Sequence, residues 1–127
     1  MNAPRVLIVD DDPDFGEITR TVLQAHGFEV ASAAGGRQAL DAMRRQRPDV
    51  VVLDVMMNGA TDGAQVSHVV HEDPDLTGIP ILMVTSIMDT PLASQFPTDE
   101  ALPVEGFLRK PVNPKELAER VQALVKR

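Results

Sequence analysis

The sequence predicts an α/β fold, one mostly parallel sheet with helices on both faces. Short, continuously apolar, β-branched runs recur along the chain, segments with apolar residues at helical spacing separate them, and several runs close on a polar residue, most often aspartate. Continuous apolar runs suit strands covered on both faces, and strands alternating with helices build parallel βαβ units.

The first strand is Val6-Leu7-Ile8-Val9, closed by Asp10-Asp11-Asp12. Asp12 is the expected cap of a helix that starts at Pro13, carries Phe15, Ile18, Val22 and Leu23 at helical spacing, and stops at Gly27. A second strand is expected from Phe28 to Ala33. It leads to a helix from about Gly36 with Ala39, Leu40 and Met43 on one face and Pro48 beyond its end. The run Asp49 to Asp54 is a third strand, followed by a loop and a helix marked by Val66, Val69 and Val70. Pro80 opens a fourth strand, Ile81 to Thr85, and Gly106-Phe107-Leu108 offers a brief fifth.

Between them Pro91, Pro97 and Pro103 interrupt any long helix, so the fourth crossover helix is expected to be short or irregular. The final helix is marked by Asn113, Pro114 and Glu116 at N-cap, N1 and N3, ahead of Leu117, Val121, Leu124 and Val125.

At 127 residues the chain reads as one domain, residues 1–127, with no linker or output domain. Four Phe and no Trp or Tyr leave the core to Val, Leu, Ile, Met and Ala. A net charge of -7 opposes direct nucleic-acid binding, which relies on Lys and Arg neutralising phosphates. Without cysteine there is no disulfide or thiolate metal site, and neither a signal peptide nor a membrane span is legible. A cytoplasmic protein is expected.

In parallel sheets ligands bind beyond the carboxyl ends of the strands, where strand order reverses. Those ends supply Asp10, Asp11, Asp54, Thr85 and Lys110. Three carboxylates with one lysine leave excess negative charge, costly in a partly dry cleft unless a cation binds. Magnesium suits the site because it uses one or two carboxylates directly and completes its shell with water and phosphate oxygens. Asp11 and Asp54 are the expected direct ligands. A carboxylate so placed can attack a phosphoryl group, with Lys110 neutralising developing charge and Thr85 donating its hydroxyl. Alone, Thr85 reads as an ordinary strand residue, Lys110 as a surface charge and Asp12 as a cap; the set as a whole reads as a site.

In combination and order, the stretches Leu7-Ile8-Val9-Asp10-Asp11-Asp12-Pro13, Val52-Leu53-Asp54-Val55-Met56-Met57, Ile81-Leu82-Met83-Val84-Thr85-Ser86 and Phe107-Leu108-Arg109-Lys110-Pro111 resemble the receiver domain of two-component response regulators over essentially the whole chain. The resemblance implies a flavodoxin-like, doubly wound five-stranded sheet in the order 2-1-3-4-5. It implies that Asp54 is the phosphoacceptor, served by a histidine kinase or histidine phosphotransfer protein. Asp10 and Asp11 match the acidic pair that holds magnesium, and Met56 the position whose backbone carbonyl joins the metal shell. Thr85 and Lys110 match the residues that bind the phosphoryl group and couple it to conformational change, Phe107 the aromatic switch, and Pro111 the proline after the lysine. A downstream protein target, unnamed by the sequence, completes the expected partners.

The chain departs from the family at Asn58, where many receivers have proline, and in the proline-rich stretch before Lys110, which alters the usual output face. Met56 and Ile87, two positions beyond Asp54 and Thr85, are apolar where the family tunes hydrolysis, so slow phosphate loss is expected. His68 and His71 read as surface residues without a further metal ligand. A phosphatase of the haloacid dehalogenase type is disfavoured, since Asp10 and Asp12 give its D-x-D spacing but Asp14 stands where its motif has threonine or valine, and a cap is missing. A receiver-shaped module that binds partners without phosphorylation is the other alternative, opposed by the intact acidic, Thr85 and Lys110 set.

Overall fold

The apolar runs form strands β1 (Arg5–Val9), β3 (Val50–Asp54) and β4 (Ile81–Thr85), flanked by the less apolar β2 (Glu29–Ala33) and the brief β5 (Gly106–Arg109). Between and after them lie helices α1 (Pro13–Ala25), α2 (Gly36–Arg45), α3 (Asp62–Glu72) and α4 (Pro114–Val125). The computed structural model describes residues 3–10, 13–54, 62–85, 106–109 and 113–125. The expected short or irregular crossover helix and the expected cap Asp12 lie outside these residues.

All strand pairs are parallel, and the order is β2-β1-β3-β4-β5, as expected. Parallel pairing brings every strand's carboxyl end to one edge, and the order reverses between β1 and β3.

Alternation along the strands divides the core in two. Leu7, Val9, Val51, Leu53, Ile81 and Met83 pack with Ala39 and Met43 of α2 and Val66 and Val70 of α3. Val6, Ile8, Val50, Val52, Leu82, Val84 and Leu108 pack instead with Leu23 of α1 and Leu117, Ala118 and Val121 of α4. Each face of the sheet is therefore covered by two of the described helices.

Local chemistry sets the helix ends. Gly27 takes φ +92°; its N–H donates to Gln24 O, and the Phe28 N–H reaches back to Leu23 O, both at 3.0 Å. This is the left-handed glycine termination, completed by burial of Phe28 in the same cluster as Leu23. At α4, Asn113 Oδ1 accepts from the backbone N–H groups of Lys115 (2.9 Å) and Glu116 (3.3 Å), as the N-cap signature predicts.

Two expected face residues point elsewhere: Ile18 is 57% and Val69 37% exposed. Helical spacing identifies neighbours on a helix but not which flank meets the sheet. Conversely, Leu76 and Ile79 in the turn after α3 are buried. That turn is clasped from α2 and the segment after it: Arg44 Nη2 bonds Asp73 Oδ2 at 2.8 Å, and Arg47 donates to the carbonyls of Asp75 (2.7 Å) and Thr77 (3.1 Å).

Candidate functional site

Val9 pairs with Leu53, so the next residues along these parallel neighbours, Asp10 and Asp54, stand level at the carboxyl edge. Asp10 is 9% and Asp54 4% exposed. By strand alternation both follow the Val6-Ile8 and Val50-Val52 series that faces α1 and α4. The Asp10 N–H donates to Ala33 O at 3.1 Å, which extends the β1–β2 ladder to the aspartate.

Two carboxylates on adjacent strands gather anionic oxygen donors at one edge, and such oxygens are the donors that magnesium, a hard divalent cation, prefers. The donor set therefore fits the metal expected from the sequence.

Asp54 lies level with Val84, which places Thr85 one residue further along the neighbouring strand, in register with Arg109 of β5. Thr85 and Phe107 are described in backbone only. Asp11, Met56, Asn58, Ile87, Lys110 and Pro111 lie outside the described residues. Thus the structure brings Asp10 and Asp54 together and puts the backbone of Thr85 at the same edge. Among the described residues no group of three His, Cys, Asp or Glu could hold a metal, and His68 and His71 are exposed on α3.

A cavity of about 540 Å³ beside Asp10, between α1 and β2, was not foreseen. Its lining includes Gly16, Glu17 and Arg20 of α1 with Ser32 and Ala33 of β2. The signal available in the sequence was Gly16, a glycine inside a helical pattern.

The chain's residues 6–122 match the family model described as the response regulator receiver domain. The DNA-binding response regulator MtrA of Mycolicibacterium smegmatis is 40% identical over 97% of this chain and 51% of the relative. A probable transcriptional regulator, ycf27, of Porphyridium aerugineum is 34% identical over all of this chain and 50% of the relative. The chain thus spans about half the length of the curated relatives it matches. Among solved structures, the chemotaxis response regulator CheY4 of Vibrio cholerae has a TM-score of 0.82 at 32% identity, covering 97% of this chain and 99% of that one. A CheY-like response regulator receiver domain protein of Methanospirillum hungatei has a TM-score of 0.83 at 25% identity, covering 98% and 95%.

Proposed function

The chain belongs to the response regulator receiver family, a family of signalling modules, and from that premise we propose that Asp54 accepts a phosphoryl group from a histidine kinase or histidine phosphotransfer protein. The observation that carries this is the burial of Asp54 at the carboxyl edge, level with Asp10 on the neighbouring strand. An Asp54 carboxylate oxygen attacks phosphorus, the phosphorus–nitrogen bond to the donor imidazole breaks, and the imidazole leaves with a proton.

Asp10, Asp11, Asp54 and the Met56 backbone carbonyl would hold magnesium. Bound there, it supplies positive charge against the phosphoryl oxygens. Thr85 donates its hydroxyl to a phosphoryl oxygen and Lys110 its ammonium. Thr85 and Phe107 then carry the change to the surface, where a downstream protein reads it.

No described helix is long and apolar enough to cross a membrane, and we place the module in the cytoplasm with its donor. With a charge of -7 we assign these 127 residues no contact with DNA, although the matched MtrA relatives are named as DNA-binding. The module's chemistry is confined to its own phosphorylation and dephosphorylation.

Incubation with acetyl phosphate and magnesium, read by intact mass, tests the proposal. One phosphoryl increment, absent in Asp54→Ala, is expected. Sustained turnover of phosphate esters would instead indicate a phosphatase, and no labelling a phosphorylation-independent module. Because Met56 and Ile87 cannot position an attacking water, the phosphoryl group is lost slowly. A short half-life that Met56→Asn leaves unchanged contradicts this.

A further inference from the structure

We propose that the cavity between α1 and β2 binds an organic cation, a ligand with an amine or guanidinium head on an apolar body. Its volume of about 540 Å³ falls within the range of small-molecule sites.

Gly16 is the first reason. A glycine inside a helix weakens it relative to alanine, and here the fold gives no return for that weakness. Gly16 is not among the glycines with positive φ, and a Cβ built on it meets nothing within 4 Å. It does line the cavity. Any larger side chain at this position would project into space the glycine leaves open.

The second reason is the charge along the walls. Arg20 is engaged, its Nη2 donating to Ser32 Oγ at 2.5 Å across the gap between helix and strand. Gln38 is engaged as well, its Oε1 accepting from the Ala34 N–H at 3.0 Å. Glu17 is exposed, and its carboxylate has no hydrogen bond or ion pair among the described residues. Asp10 lines the same space. The cavity is therefore lined by a glutamate whose carboxylate is uncommitted among the described residues and by the apolar Ile8, Ala33 and Ala34. A cation with an apolar body satisfies both surfaces, whereas an anion would meet two carboxylates against the single guanidinium of Arg20, one of whose donors is taken by Ser32.

This site does not include the exposed Ile18. Gly16 and Arg20 lie one turn apart on one flank of α1, while Ile18 is roughly 200° round the helix from Gly16.

The test is an NMR titration of ¹⁵N-labelled full chain, without magnesium or phosphodonor, using phenylethylamine and its neutral counterpart phenylethanol. Phenylethylamine is expected to shift the amides of Gly16, Ala33, Ala34 and Gln38, and phenylethanol to bind about tenfold more weakly, the difference expected of a charge-assisted contact. Glu17→Gln should bring the amine's affinity down to that of the alcohol. Gly16→Leu should abolish binding while the remaining amide signals keep their positions, since leucine suits a helix and finds open space. Equal affinity for the two probes, no shifts at these amides, or undiminished binding by Gly16→Leu would overturn the proposal. None of these readouts depends on phosphorylation of Asp54, so failure here and failure there are distinguishable.

Discussion

The same strands present two different faces. Toward α2 and α3, β1, β3 and β4 show Leu7 and Val9, Val51 and Leu53, Ile81 and Met83, apolar throughout and at most 2% exposed. Toward α1 and α4 the series Val6-Ile8 and Val50-Val52 continue into Asp10 and Asp54. One residue's shift along an extended chain turns a core position into a site position, because successive side chains point to opposite faces. The α2–α3 face is thus committed to cohesion, and the far end of the other carries the two aspartates on which the proposed function rests.

Truncating the cohesive face has the largest expected effect. Leu53→Ala, one residue before Asp54 but on the opposite face and fully buried, should lower stability by about 2–5 kcal/mol in urea unfolding. A loss below about 1 kcal/mol would show that the two faces are not distinguished in this way.

The site end is expected to respond to ligand rather than to packing. At a magnesium concentration a hundredfold above its Kd, the wild-type chain should gain about 2.7 kcal/mol of stability. Asp54→Asn should lose most of that gain. Equal stabilisation of both proteins would place the cation elsewhere.

Sequence legibility followed the same division. The strands of the cohesive face were plain because buried parallel strands need uninterrupted apolar runs, and β4 matches its expected bounds, Ile81–Thr85. Asp54 was legible as the end of such a run. The exposed flanks of Ile18 and Val69 were not, since periodicity carries no information about which side of a helix meets the sheet. Nor was the clasp of Arg44 and Arg47 on the turn after α3, because it joins residues about 30 positions apart. The cavity beside Asp10 needed the tertiary approach of α1 and β2. Asp11, Met56 and Lys110 lie outside the described residues, and the roles proposed for them rest on the family resemblance.

A smaller effect probes the junction that leads α1 into β2. Gly27→Ala forces alanine to φ +92° and should cost about 1 kcal/mol. An unchanged urea midpoint would mean that the turn relaxes freely.

The smallest effect belongs to the clasp beneath the cohesive face. Arg44, by hydrogen bonding foremost, with help from the Asp75 N–H, holds the Asp73 carboxyl below its ordinary value of 3.8. A carboxyl lowered in the folded state stabilises the fold above 3.8, and this contribution fades as pH falls through the lower folded value. Arg44→Met should flatten the pH dependence of stability in that acid window and leave its slope at neutral pH unchanged. An unaltered slope below 3.8 would remove the clasp from the account.

The most direct measurement concerns the aspartate at the end of β3. After phosphorylation with acetyl phosphate and magnesium, borohydride reduction converts an aspartyl phosphate to homoserine, and peptide mass locates it. Homoserine is expected at position 54 and nowhere else; homoserine at position 10 or 11, with 54 unchanged, would overturn the assignment of Asp54 as the phosphoacceptor.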